Sequence, residues 1–97
     1  MDLLWLPRAN AARHAAIEYI AQHNPHAALA QLNEIERHTN NLLQYPEIGR
    51  AGRIPATREL VIIHTNFVLI YRVKPRLERI EIVHLLHTSQ AWSADKN

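Results

Sequence analysis

The spacing of apolar residues along the chain changes once, near residue 46. Before that point they recur at intervals of about three and four residues, the period of a helix with one buried face. Asn24-Pro25 divides this half, as an N-cap residue followed by proline at the first helical position. The pattern predicts helices over residues 9–22 and 25–44, ended by a turn at 46–49. The predicted buried stripes are Ala9, Ala16, Ile17 and Ile20, then Ala28, Leu32, Ile35, Thr39 and Leu42.

After residue 57, β-branched and aromatic residues predominate and predict strands over residues 58–64, 67–73 and 79–86. The turn between the first two is His64-Thr65-Asn66, where asparagine tolerates positive φ, and Lys74-Pro75-Arg76 turns the chain again. Residues 3–6 can add a short strand at an edge. Strict alternation in the last strand divides its side chains between two faces: Ile80, Ile82, His84 and Leu86 on one, Glu81, Val83, Leu85 and His87 on the other.

These elements predict an α+β fold of order β-α-α-β-β-β. In it the N-terminal helical hairpin packs on one face of a small antiparallel sheet. A chain of 97 residues has the length of one domain, so residues 1–97 are expected to form a single unit.

Composition restricts the compartment in which the protein acts. There is no cysteine, so no disulfide or zinc–thiolate site is expected. The N-terminus lacks the basic region of a signal peptide. The longest apolar stretch, residues 60–71, is interrupted by His64-Thr65-Asn66 and is too short to span a membrane. We expect a cytoplasmic protein with no membrane partner.

Charge is distributed unevenly along the chain. Residues 1–45 carry three arginines against four acids, whereas residues 46–97 carry eight cations against five acids. This asymmetry suits an acidic protein or a nucleic acid as partner; the alternative is a solvated strand face. Seven of the cations lie between residues 50 and 79: Arg50, Arg53, Arg58, Arg72, Lys74, Arg76 and Arg79.

Candidate chemistry is limited to histidines and arginines. Seven histidines are present, but none has the spacing of a metal site, and no cofactor is expected. His87 stands where the last strand ends, beside polar residues and Trp92, and imidazole is suited to proton transfer near neutral pH. A histidine in a sheet is more often structural. Arginines together with Tyr71 could also hold a phosphodiester and stack a base.

Five short motifs follow one another along the chain: YPEIGR at 45–50, TREL at 57–60, VLIYRV at 68–73, IEIVHLLH at 80–87 and AW at 91–92. In this order and spacing they resemble the RelE/ParE superfamily of bacterial toxins. The resemblance implies a helical hairpin on an antiparallel sheet. It also implies a small toxin that a cognate antitoxin neutralises and that meets operator DNA only through that antitoxin.

The superfamily has two activities, which imply different site residues. ParE-type toxins inhibit DNA gyrase, and the YPEIGR turn and long helical hairpin are more similar to these. RelE-type toxins cleave mRNA on the ribosome without a metal. Their usual strand lysines and arginine are replaced here by Glu59, Val61 and a valine in FVLIY, although some nucleases use histidines.

The gyrase interpretation is the leading one, and the ribosome-dependent nuclease is the alternative. In the nuclease, His87 or else His64 would accept the 2′-hydroxyl proton, and Arg58 or Arg72 would stabilise the phosphate. In either case we expect the antitoxin's C-terminal segment to cover the exposed arginines and an apolar groove. The residues expected to bind partners are Arg50, Arg53, Tyr71, Arg76, Arg79 and Trp92. Trp92 is expected either to anchor a partner or to pack partly over the end of the sheet.

Overall fold

The computed structural model describes residues 1–88, which form two helices and a five-stranded sheet. The predicted α+β fold and its helical hairpin are confirmed, with the ends of the predicted elements shifted by no more than two residues; the short strand Arg50–Ala51 was not predicted. Ser89, Gln90 and Trp92 lie outside the described residues. The elements are β1 (Asp2–Trp5), α1 (Pro7–His23), α2 (Pro25–Gln44), β2 (Arg50–Ala51), β3 (Arg58–Ile62), β4 (Phe67–Lys74) and β5 (Arg79–His87).

The junction of the two helices has the cap that the sequence predicts. The Asn24 side chain accepts a hydrogen bond of 3.1 Å from the Ala27 amide, which satisfies one donor at the start of α2. Pro25 follows at the first helical position, where its missing amide costs no helical bond. Among the described residues, no helix is both long and apolar enough to cross a membrane.

The sheet is mixed, with strand order β1-β5-β4-β3-β2. Pairs from β2 to β5 are antiparallel, but β1 pairs with β5 in parallel. The predicted edge strand is confirmed; the expectation of a purely antiparallel sheet is wrong at this one pair. The physical reason for the parallel pair is the connection between its strands. Parallel neighbours need a long crossover, and the whole helical hairpin lies between β1 and the rest of the sheet in the chain.

The core lies between the helical hairpin and one face of the sheet. Ile35 and Leu42 of α2 are fully buried in it, as are side chains from the three central strands. Burial of this apolar surface is the main favourable contribution to folding. The sheet residues of the core are Ile62, Phe67, Leu69, Tyr71, Ile80, Ile82 and Leu85.

A β-bulge in β5 overturns the predicted alternation of that strand. Tyr71 pairs with Ile82 and Ile70 pairs with His84, so Val83 is the extra residue without a partner in β4. An inserted residue reverses the faces beyond it. Leu85 therefore joins the buried face, and His84 does not lie with Ile82 as expected.

The turn between β3 and β4 also differs from the prediction. β3 ends at Ile62, and it is His64, with φ of 68°, that takes the left-handed conformation expected of Asn66. Histidine is among the residues that accept this region more readily. The turn is held to α2 because the buried His38 accepts a hydrogen bond from the Ile63 amide at Nε2, 3.1 Å, and contacts the Glu34 carbonyl through Nδ1, 2.7 Å.

Candidate functional site

The loop after α2 is fixed in place by a buried tyrosine. The Tyr71 hydroxyl donates to the Pro46 carbonyl at 2.7 Å and accepts from the Gly49 amide at 2.9 Å. Burial raises the pKa of this hydroxyl, while the bond from Gly49 acts in the opposite direction. A Cβ on Gly49 would lie 2.8 Å from the Tyr71 ring, so only glycine permits this approach. Tyr71, a predicted binding residue, is thus buried and holds the YPEIGR loop.

Arg58 holds the same loop from β3. Its Nη1 donates to the carbonyl oxygens of Glu47, 3.2 Å, and Gly49, 2.8 Å. The sequence predicts that the Arg58 guanidinium stabilises a phosphate in the nuclease. In the structure these two contacts already occupy it. The structure therefore places Arg58 where it supports the loop after α2.

A glutamate–arginine cluster lies at the β2–β3 edge. Glu59 is 7% exposed and accepts from the Arg50 guanidinium, 3.1 Å, and from the Arg53 backbone amide, 3.0 Å. Burial acts to raise the pKa of Glu59, but the hydrogen bonds from Arg53 and Arg50 outweigh it and lower the pKa. The Arg50 side chain, 59% exposed, still reaches solvent beyond this contact.

A second cluster joins β4 and β5. Glu81 is 3% exposed and accepts from Arg72 Nε at 2.6 Å and from Arg79 Nε at 2.8 Å. The hydrogen bond from Arg72, supported by that from Arg79, holds the pKa of Glu81 below its usual value. Both arginine side chains remain more than a third exposed.

All seven cations between residues 50 and 79 belong to one end of the sheet, where β4 ends and β5 begins. We call this the cationic end. Arg76 lies there on the exposed 3₁₀ turn Pro75–Leu77, after Lys74. The acids at this end are Asp2, Glu47, Glu59, Glu78 and Glu81.

The predicted proton-transfer groups lie at the opposite end. His87 pairs with Phe67, and Arg58 pairs with Tyr71, four residues along β4. At the usual rise of a strand, this separates their backbones by roughly 13 Å along the strand direction, and β4 lies between them. Arg72 is farther along and, by alternation, on the other face from His87. We call this opposite end, where His64 also lies in the turn after β3, the histidine end. The structure therefore does not bring His87 or His64 together with Arg58 or Arg72.

The histidine end has an apolar groove between α1 and the sheet, with a volume of about 670 Å³. Burial, together with Arg8, lowers the pKa of His84 on its wall. His87 is exposed and stacks edge-on against Phe67, with ring centroids 5.9 Å apart. The groove's lining includes Ala12, Ala16, Tyr19, Phe67, Leu85 and His87.

The cationic end has a cavity of its own, about 710 Å³ in volume, between the YPEIGR loop and β4. We call it the loop cavity. Met1, Tyr45 and Ile48 line it while remaining 54%, 59% and 48% exposed. Its other lining residues are Gln44, Pro46, Glu47 and Val73.

Sequence reasoning missed the two buried glutamates. The sequence identifies Glu59 only as a replacement for a lysine, and Glu81 only as a residue of the last strand. The one signal in the sequence was in RIE, where an arginine stands two residues before the acid; the partners of Glu59, Arg50 and Arg53, come from another segment. Among the described residues, no group of three or more histidines and acids gathers where a metal could bind.

Known proteins similar to this chain were identified by sequence and by fold. Residues 3–92 match the family model of the ParE toxin of the type II toxin–antitoxin system parDE. The Sinorhizobium fredii protein named "Putative toxin Y4kP" is 35% identical over 74 residues, which cover 76% of this chain and 74% of that protein. In fold, the chain is similar to the solved structure "Chromosomal ParDE TA system from P. aeruginosa". The TM-score is 0.78, with 24% identity, covering 90% of this chain and 95% of that one.

Proposed function

The chain belongs to the ParE toxin family of type II toxin–antitoxin systems, and from this premise we propose that it arrests bacterial growth by inhibiting DNA gyrase. A cognate antitoxin neutralises it by covering the surface that engages the target. The protein acts in this proposal by binding, and it needs neither a metal nor a cofactor.

One observation favours gyrase inhibition over mRNA cleavage. His87 is separated in the fold from Arg58 and Arg72. Proton abstraction by a side chain requires a heavy-atom distance of about 2.6–3.2 Å to the reacting group, or one bridging water. His87 and Arg58 lie at opposite ends of β4, and Arg72 lies on the other face of the sheet. At this separation, His87 and either arginine do not form the compact acid–base site that cleavage of one phosphodiester uses.

The cationic end supplies the contact with the target in this proposal. Arg50 and Arg76 are exposed there, and the buried Glu59 and Glu81 hold neighbouring guanidinium groups in fixed orientations. Interspersed cations with fixed geometry steer association with an acidic surface. Tyr71 contributes by holding the loop, and a role for Trp92 as an anchor stays a prediction.

Growth arrest by a histidine variant tests the proposal in cells. His87→Gln removes the best-placed acid–base group while keeping a polar side chain at an exposed position. Since gyrase inhibition needs no proton from it, the induced variant should arrest growth like the wild type. Loss of a general acid–base catalyst typically lowers the reaction rate by about 10²–10⁴-fold, so a nuclease would lose its toxicity.

His14→Gln serves as the matched control, because it makes the same change at an exposed histidine of α1 that has no role in either interpretation. Circular dichroism of each purified variant checks folding. A folded His87→Gln protein that no longer arrests growth, beside a toxic His14→Gln protein, would favour the ribosome-dependent nuclease instead.

A further inference from the structure

Two apolar side chains of β4 are buried outside the core. Val68 and Ile70 are 4% and 5% exposed. Along the strand they alternate with the core residues Phe67, Leu69 and Tyr71, so they lie on the face of the sheet opposite the helices. Within residues 1–88, neither belongs to the cluster that forms the core. We call this surface the outer face, and its residues beside them are Glu59, Val61 and Leu86.

The sequence of β4 agrees with burial on both faces. A strand with one face in water alternates apolar and polar residues, whereas residues 67–71 read FVLIY, apolar or aromatic throughout. The outer face is open over β3, because Val61, the partner of Val68, is 51% exposed. Since the helices pack on the other face, the burial of Val68 and Ile70 requires a different cover over β4.

The last nine residues of the chain, 89–97, begin beside the outer face. The Thr88 amide donates a hydrogen bond of 2.8 Å to the carbonyl of Asn66, immediately before β4. The segment reads SQAWSADKN, and its one large apolar side chain is Trp92, four residues after Thr88. Four extended residues span about 13 Å, and Ile70 lies roughly the same distance from Asn66 along β4. Trp92 can therefore reach the buried pair.

Charge favours the same path. The one acid among residues 89–97 is Asp95, three residues after Trp92. At the outer face Glu59 pairs with Ile70, and its carboxylate binds the Arg50 guanidinium and the Arg53 amide. A segment that crosses β4 towards β3 therefore brings its acid to two arginines.

We propose that residues 89–97 fold back across the outer face as an intramolecular strap. The Trp92 indole packs on Val68 and Ile70, since a buried aromatic ring supplies a large apolar contact area. Asp95 meets Arg50 and Arg53. The outer face over β4 is then closed to other proteins while the strap is in place. This arrangement is independent of gyrase inhibition.

A fluorescent label on the outer face tests the position of Trp92. The chain has no cysteine, so Val61→Cys provides a single site for a bimane, a fluorophore that tryptophan quenches only at near contact. Bimane emission should be lower by about twofold or more than in the same labelled protein carrying Trp92→Phe. Leu29→Cys, at a position of α2 that is 58% exposed, is the matched label site and should respond to neither form.

Equal emission from Val61→Cys with and without Trp92, in protein that is folded by circular dichroism, would overturn the proposal. Labelled Val61→Cys/Trp92→Phe protein is also mixed with unlabelled wild type. Emission should not change, and quenching in this mixture would assign the cover to a second copy and overturn the intramolecular strap.

Stability provides a second readout. Trp92→Ser should lower the urea midpoint, because Val68 and Ile70 lose their cover. Lys96→Ser changes the same segment without removing an apolar contact, so its midpoint should equal that of wild type. Equal midpoints for Trp92→Ser and wild type would contradict the strap. None of these measurements uses a target or an antitoxin, so their failure would leave the proposed function unaffected.

Discussion

Tyr71 shows how one side chain connects the core to the surface. Its ring is fully buried in the core, and its hydroxyl satisfies a carbonyl and an amide of an irregular loop. Both backbone groups belong to a segment without helix or strand partners, so they depend on this one hydroxyl. The loop in turn presents Tyr45 and Ile48 to solvent. A residue expected to bind a partner therefore acts on the surface through the loop that it holds.

Tyr71→Phe removes the hydroxyl and keeps the ring. The Pro46 carbonyl and the buried Gly49 amide would then lose their partner, at a cost of about 1–3 kcal/mol in the free energy of unfolding. Urea denaturation followed by circular dichroism measures the loss. Tyr45→Phe, at a tyrosine 59% exposed, is the control and should change stability little. Equal stability of Tyr71→Phe and wild type would mean that the loop is held by other contacts.

At the scale of elements, the pairing of β4 with β5 creates the Glu81 cluster. Arg72 and Glu81 are direct neighbours across the two strands, and Arg79 lies two residues before Glu81 on the same side of β5. A carboxylate that is 3% exposed is tolerated because two guanidinium groups bind it. The cluster therefore ties the ends of two strands together through charge as well as through the backbone ladder.

The lowered pKa of Glu81 predicts how stability depends on pH. Its contribution is present above the ordinary glutamate pKa of about 4.3 and is lost as pH falls through the lower pKa of the folded state. Glu81→Gln should be less stable than wild type at neutral pH, and the difference should shrink in acid. Urea midpoints across this acidic range measure the effect. Glu36→Gln, at an exposed carboxylate of α2, should parallel the wild type; a Glu81→Gln curve that does the same would contradict the cluster's role.

At the scale of the molecule, the local patterns of the sequence predict the elements but not all of their contacts. The stripe from Ala28 to Leu42 and the Asn24-Pro25 cap define α2 from neighbouring residues alone, and the structure confirms both. The bulge at Val83 has no such local signal, because it depends on how β5 pairs with β4. The faces predicted for His84 and Leu85 are therefore wrong.

The same distinction, between local sequence patterns and contacts that depend on the whole fold, applies to the candidate site. The cationic segment was visible as a run of arginines between residues 50 and 79. That Glu59 and Glu81 would be buried between them depends on strand register, which composition does not reveal. The Tyr71 contacts join residues 22 and 25 positions apart and require the complete fold. The distance between His87 and Arg58 likewise emerges only once β3, β4 and β5 are aligned.

The central claim, that the protein is a toxin acting on gyrase by binding, is tested most directly with purified components. Wild-type protein is added to DNA gyrase with relaxed plasmid and ATP, and in parallel to ribosomes carrying mRNA. We expect supercoiling to be inhibited in proportion to the toxin present, His87→Gln to inhibit equally well, and the mRNA to stay intact. Cleavage of the ribosome-bound mRNA with undiminished supercoiling would contradict the account.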